Sequence, residues 1–522
     1  MLVKIFSASV QGLQASAVTI EVNATRGVRF ALVGLPDSAV KESYERITAA
    51  IENSGYTFPS RQITINMAPA DVRKEGSGFD LPMAIGILAT EGQVNAQVLN
   101  RYMMVGELSL DGSLQPIKGA LPISIKAREL GFEGLFVPED NVREAAVVNN
   151  LNVYGVRHIN QVIGHLNGIE PMQPTFIDTR AEFYARQSEF EFDFADVRGQ
   201  EQVKRALEIA AAGGHNLIMI GPPGSGKSML AKRLPSILPP LSLRESLETT
   251  QIHSVAGKLK SDCSLIAQRP FRSPHHTISQ VALVGGGANP QPGEISLAHN
   301  GVLFCDELPE FQRSVLEVLR QPLEDRIINI SRAKYTVTYP CSFMFIASMN
   351  PCPCGYYNHP DKPCHCTPGQ IVKYLNKISG PLLDRIDIHC EIQPVPFAQL
   401  SQMQPGEPSA VIRGRVIKAR KIQEERFAHL HLGGGREGAI HCNAQMSEKM
   451  LHKFAEPDAA SMDMLRMAME RLKLSARAYS RILKVARTIA DLEGSEQVQS
   501  QHIAEAIGYR SLDRSDWAER GV

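Results

Sequence analysis

Asn216-Leu-Ile-Met-Ile-Gly221-Pro222-Pro223-Gly224-Ser225-Gly226-Lys227-Ser228-Met-Leu230 holds three local structures in a row. The apolar run 216–220 has the composition of a buried strand and is interrupted by the glycine-rich segment. Met229-Leu-Ala-Lys-Arg-Leu234 then resumes with helical spacing. Strand, loop and helix around G-x-x-x-x-G-K-[ST] is the pattern of a phosphate-binding loop. Its glycines let successive backbone N–H groups turn toward one anion, and the helix N-terminus adds its positive dipole end. Lys227 is then expected to reach the β- and γ-phosphates of ATP, with the Ser228 hydroxyl on Mg²⁺. Residues 221–228 are the candidate nucleotide site.

Downstream, Gly301-Val-Leu-Phe-Cys-Asp306-Glu307 reads as a buried strand delivering two carboxylates. After a phosphate loop, such a pair divides the work: Asp306 binds Mg²⁺ through water and Glu307 orients the attacking water as base. Phe343-Met-Phe-Ile-Ala-Ser-Met-Asn350 is a second buried strand ending in a polar residue.

Composition narrows the surroundings of this site. The 522-residue chain is long enough for about three domains. At 43% hydrophobic and 21% charged residues it has the make-up of an ordinary soluble protein. Lys+Arg and Asp+Glu are both 55, so no global basic field advertises nucleic acid. Any such binding must come from a few local residues or from repetition in an oligomer. No apolar run reaches the ~18 residues that span a bilayer, and no membrane partner is expected. The N-terminus is a poor signal peptide, and nine cysteines without an export signal point to a reducing cytoplasm.

Residues 1–165 alternate short strands (17–22, 28–33, 62–66) with helices (39–53 and one after the Lys74-Glu-Gly-Ser-Gly-Phe-Asp80 turn). This order resembles the Lon-type protease domain, which shares its fold with ribosomal protein S5. In that resemblance the nucleophile position falls on Asp80 and the catalytic lysine position near Ile123. Neither side chain can do that chemistry, so the module is expected to be proteolytically inactive. Residues 166–190 read as a linker. Phe194-Ala-Asp196-Val-Arg-Gly199-Gln200 is similar to the opening segment of AAA+ ATPases, which places the ATPase core at 191–395 and a helical lid at 396–522. The fold class is therefore α/β: a Lon-like α+β domain, an AAA+ P-loop domain and a C-terminal helical lid.

Within that AAA+ resemblance, Asn350 takes the sensor position that positions the water. Gly380-Pro-Leu-Leu-Asp384-Arg385-Ile-Asp387 takes the place of the arginine-finger segment, so Arg385 would act on the nucleotide of a neighbouring subunit. An intrachain Asp–Arg pair is the alternative. Arg477, opening an arginine-rich helix, fits the second sensor, with Arg487 as fallback.

Two further stretches exceed what nucleotide chemistry needs. One is the glycine- and proline-rich loop over 281–293. The other is Ile327-Ile-Asn-Ile-Ser-Arg332-Ala-Lys334-Tyr-Thr-Val-Thr-Tyr339, a β-hairpin with Arg332 and Lys334 at its tip. In a ring of subunits those tips would form a basic collar able to grip DNA phosphates. Tyr335 and Tyr339 leave open a grip on protein instead. After Asn350 come Cys352, Cys354, Cys364 and Cys366, two Cys-x-Cys pairs that can surround one tetrahedral Zn²⁺, with His359 or His365 as replacement ligands.

These inserts are similar to those of the magnesium chelatase branch of AAA+. The whole chain, through GPPGSGKS, CDELPEF, NPCPCGYY and GPLLDRIDI, resembles the YifB/ComM family. That resemblance implies a cytoplasmic homohexameric ATPase. It would act as a helicase promoting branch migration on single-stranded and branched DNA during homologous recombination in natural transformation. Tetrapyrrole metal chelation and ATP-dependent protein unfolding remain the competing classes.

Overall fold

The structure is a computed structural model and describes residues 1–72, 74–287, 290–332, 335–394, 405–428, 440–472, 474–510 and 512, with backbone only at 332 and 335. Its N-terminal sheet has seven strands: β1 (Leu2–Gln11), β2 (Gln14–Thr25), β3 (Phe30–Val33), β4 (Gln62–Ala68), β5 (Tyr102–Met104), β6 (Gly134–Pro138) and β7 (Asn152–Val156). They lie in the order β3-β4-β2-β1-β5-β6-β7, antiparallel through β4-β2-β1 and parallel elsewhere. Helices α1 (Ser43–Asn53) and α2 (Asp80–Thr90) bury their apolar residues with that sheet, and every residue of α2 is buried. Helix α3 (Ala120–Glu129) belongs to a second cluster with β6 and β7.

The expected linker contains a helix, α4 (Thr179–Arg186). Asp178 caps it through the Ala181 N–H, and Phe183 is buried against Leu241 and Ala267. Glu182 pairs with Arg143 of the N-terminal domain at 2.7 Å and accepts from Ser264 of the ATPase domain at 2.8 Å. Its polarity hid one buried aromatic and one carboxylate that tie two domains together.

The ATPase domain opens with α5 (Glu201–Gly213), followed by β8 (Leu217–Ile220), α6 (Lys227–Arg233) and α7 (Leu243–Val255). Beyond them come β9 (Phe271–Arg272), β10 (Val302–Cys305), the hairpin β11 (Ile327–Arg332) and β12 (Tyr335–Pro340), β13 (Met344–Met349), α8 (Pro368–Leu375) and β14 (Ile388–Glu391). Strands β9-β10-β13-β8-β14 form one wholly parallel sheet in that order. Four-residue strands buried at every position read as continuous apolar runs, because helices cover both faces. C-terminal helices α9 (Ser409–Phe427), α10 (Ala459–Leu472), α11 (Ala476–Glu493) and α12 (Ser500–Gly508) share one core with α5 and the sheet. Among the described residues no helix is long and apolar enough to cross a membrane.

Candidate functional site: a phosphate loop and its two sheet edges

Parallel pairing brings three strand ends to one edge, where ligands of open α/β sheets bind. Ile220 is opposite Met349, and Cys305 is opposite Ala347, so the phosphate loop, Asn350 and the Asp306–Glu307 pair emerge side by side. Gly224 and Gly226 stand at φ +78° and +88°, backbone that only glycine adopts readily, and turn the loop into α6. Lys227 curls back over the loop, its Nζ donating to the Gly221 carbonyl at 2.7 Å, the Pro222 carbonyl at 2.9 Å and Asn350 Oδ1 at 3.3 Å. Burial lowers its pKa, opposed by the carboxylates of Asp306 and Glu307. Ser228 Oγ donates to Asp306 Oδ2 at 2.5 Å.

These residues fit a magnesium-bound triphosphate. The Ser225 hydroxyl is buried with no partner among the described residues, and the ammonium is satisfied only by neutral oxygens. Pro222 and Pro223 fill the variable places of the loop.

Two supporting residues escaped the sequence reading. Ser348 donates to Asp306 Oδ1, which also accepts the Glu307 N–H at 3.1 Å, so the carboxylate expected to hold Mg²⁺ is held from the neighbouring strand. Its only signal was lying two residues before Asn350, on a strand whose pairing the sequence does not show. Glu307 has φ +53°, which turns its carboxylate toward solvent, 3.6 Å from His276 Nδ1. The Pro-His-His-Thr run at 274–277 was the available sign of that histidine.

Arg385 and Arg477 lie at the opposite edge. Ile388 pairs with Leu217 at the start of β8, so Arg385 precedes the amino ends of the strands. Roughly 10 Å of strand separates that edge from the phosphate loop. Its guanidinium donates to the Pro381 carbonyl at 2.7 Å and pairs with Glu324. Arg477 pairs with Asp384 at 2.7 Å and is 68% exposed, so it sits with the finger segment and away from the phosphate loop of its own chain. Arg487, the fallback, is only 2% exposed; it bonds Asp491 and the Ser495 and Glu496 carbonyls, a brace inside the helical domain. Beneath the finger, burial would raise the Asp387 pKa, but Arg481 at 3.0 Å and His215 at 3.1 Å hold it well below the usual carboxylate range.

The hairpin forms as the alternation predicts, with Arg332 opposite Tyr335. Lys334 lies outside the described residues, and so does the side chain of Arg332. Tyr339 is fully buried and donates to the Pro290 carbonyl at 2.7 Å, so it fastens the hairpin to the 281–293 loop and is not free to grip a polymer. The middle of the hairpin meets the N-terminal domain, where Val337, opposite Ile330, packs so closely on Gly12 that a side chain there would collide.

The four cysteine sulfurs lie within 4.8 Å of one another, with Cys352, Cys354 and Cys364 separated by 3.3, 3.5 and 3.7 Å. Zinc–sulfur bonds of about 2.3 Å at tetrahedral angles put sulfurs about 3.8 Å apart, so this donor set fits one Zn²⁺. His359 Nδ1 instead accepts the backbone N–H of Asp361 and Lys362. None of the nine cysteines is in a disulfide.

In the N-terminal domain, Asp80 opens α2 fully buried, bonded to Arg46 Nε at 2.8 Å and Nη2 at 3.0 Å and to the Leu108 N–H at 3.3 Å. Burial pushes its pKa up to about 6 against the pull of Arg46. Ile123 is also buried, and the cleft beside them, about 420 Å³, is lined by Ser77, Glu107, Lys118 and Val337 of the hairpin.

Comparison with known proteins agrees with this geometry. Residues 193–400 match the family described as magnesium chelatase, subunit ChlI, and 406–510 match its C-terminal family. Residues 20–141 match the family described as subunit ChlI of Mg-chelatase. The chain is 44% identical over 510 residues to YifB of Escherichia coli, spanning 96% of each. It is 43% identical over 514 residues to competence protein ComM of Haemophilus influenzae, spanning 98% of this chain and 97% of that one. A shorter likeness, 32% over 157 residues, joins it to Lon protease 2 of Bacillus subtilis. With phosphate loop, acidic pair and Asn350 at one sheet edge and a Lon-like domain in front of them, the chain belongs to the YifB/ComM family of magnesium chelatase-like AAA+ ATPases.

Proposed function

We propose that the protein is an ATP-driven DNA motor: a homohexameric helicase that moves branched junctions during recombination of incoming DNA in the bacterial cytoplasm. The observation that carries the hexamer is the separation of Lys227 from Arg385 and Arg477 on opposite sheet edges. A catalytic arginine placed there serves a nucleotide only if that nucleotide belongs to another copy, which a closed ring provides at every seam. Arg477 then acts across the same seam. The nine reduced cysteines favour the cytoplasm.

In the chemical step the loop N–H groups and Lys227 hold the triphosphate, and Asn350 and Glu307 orient a water in line with the γ-phosphorus. Arg385 of the adjoining copy meets the charge that develops on the transferred group. Mg²⁺, when bound by Ser228 and Asp306, neutralises charge on the β- and γ-oxygens. The cysteine cluster holds Zn²⁺ as a structural ion. Asp80 and Ile123 leave the N-terminal domain without peptidase chemistry and as a platform.

Support for DNA as the polymer comes from the competence protein among the relatives and from the cationic hairpin tip, Arg332 and Lys334. The test is ATPase stimulation: forked or single-stranded DNA is expected to raise turnover, and Lys334→Ala to abolish that rise while keeping the basal rate. Stimulation by unfolded protein alone would replace the helicase with an unfoldase.

A further inference from the structure

The cysteine knuckle touches the phosphate loop. Gly355, directly after the first Cys-x-Cys pair and at φ +84°, lies flat against Pro223: a β-carbon built on it would come 2.6 Å from Pro223 Cδ and 2.9 Å from Cγ. The Gly355 N–H donates to the Cys352 carbonyl at 3.0 Å, so the position of this glycine is set by the first metal-ligand residue. Two residues before Cys352, Asn350 holds Lys227 at 3.3 Å. On the far side of the knuckle, the Tyr374 phenol of α8, its pKa raised by burial, lies near enough to the Asn350 backbone for that backbone to oppose the shift. The segment therefore leaves the nucleotide site, rounds the four sulfurs, leans on Pro223 and returns to Asn350.

Cys352 and Tyr357 anchor the stretch in the ATPase core, and the other three cysteines pack on the edge of that core. Pro351, Pro353, Pro360 and Pro363 remove backbone donors, and Cys352 alone of the four sulfur-bearing residues is fully buried. Four sulfurs this close repel one another as thiolates unless a cation neutralises them.

We propose that the knuckle is a metal-dependent brace for the phosphate loop: Zn²⁺ bound by Cys352, Cys354, Cys364 and Cys366 fixes Gly355 against Pro223 and so sets affinity for ATP. This rests on the assignment of Zn²⁺ to those cysteines and goes beyond it, because a zinc clip could equally serve DNA or the seam alone.

Three variants separate the possibilities, each read by zinc content from elemental mass spectrometry and by binding of a fluorescent ATP analogue with Mg²⁺ to the full chain. Cys364→Ser/Cys366→Ser is expected to lose zinc and to weaken nucleotide binding by about tenfold or more, the scale of losing a supporting shell. Gly355→Ala is expected to keep one zinc per chain and still weaken nucleotide binding, and adding Pro223→Ala, which removes the colliding ring atoms, is expected to restore it. A parent protein without zinc overturns both the metal assignment and the brace. Zinc present in the parent, with nucleotide affinity unchanged in Gly355→Ala and in the zinc-free cysteine variant, overturns the brace alone. So does a cysteine variant that loses DNA binding and keeps nucleotide affinity.

Discussion

Two glycine turns enter helices in this molecule and treat charge in opposite ways. Gly76-Ser77-Gly78-Phe79 leads into α2, whose first residue is the anion Asp80; Gly221 to Gly226 leads into α6, whose first residue is the cation Lys227. Asp80 is saturated by a guanidinium and a backbone N–H, partners as strong as any ligand could offer. Lys227 is held by two backbone carbonyls and an amide, neutral acceptors that a phosphate outcompetes. Both turns have a helix N-terminus and a buried charge, but only the phosphate loop leaves that charge underpaid by its own chain.

The largest effect is expected where one copy meets the next. If the ATPase turn alone sufficed, Arg385→Ala would be mild; the opposite-edge placement instead predicts a fall in ATP turnover of roughly 10³- to 10⁵-fold. Mixing that variant with Lys227→Ala, itself inactive, is expected to recover part of the activity, because some seams then pair an intact loop with an intact finger. Absence of recovery in verified mixed oligomers would place Arg385 in an intrachain role with Glu324. Glu307→Gln should lower turnover by about 10²- to 10⁴-fold while nucleotide still binds, measured as single-turnover hydrolysis against analogue affinity.

At the other turn the expected effects are on stability. Asp80→Ala strips Arg46, only 22% exposed, of its partner. A loss of about 3 kcal/mol within the N-terminal domain is expected, read as faster hydrogen exchange over residues 80–90, with basal ATP turnover retained. Loss of ATPase activity in proportion would show that the domains share one cooperative unit.

What the sequence made legible here was chemistry carried by neighbours in the chain. The phosphate loop, the acidic pair and the cysteine pairs each act through residues a few positions apart, so spacing alone displays them. Residues that act through strand pairing stayed hidden. Ser348 supports Asp306 only because β13 lies beside β10, and the edge on which Arg385 and Arg477 stand depends on the register of β14 against β8. The 179–186 helix was concealed by its polarity, since its one buried ring finds its partners from 241 onward. Tyr339 read as a surface aromatic because alternation along a hairpin does not say which face the 281–293 loop covers.

The finest contrast between the turns is their response to acid. Burial raises the Asp80 pKa from 3.8 to about 6, so the neutral carboxyl is the form the fold prefers. Its stabilising contribution is complete below the unfolded value near 4 and disappears as pH rises through about 6. Between pH 5 and pH 7 the parent should therefore lose about 1 kcal/mol of N-terminal domain stability relative to Asp80→Asn, which cannot titrate. Paired exchange measurements over residues 80–90 at those two pH values give the difference directly. A slope of opposite sign, with the parent gaining on Asp80→Asn as pH rises, would mean that Arg46 outweighs burial and holds the carboxylate ionised throughout. Asp80 and Arg46 would then be a true buried ion pair, with charge already matched within the chain. The expected slope describes a softer device, an acid half-released by its own burial.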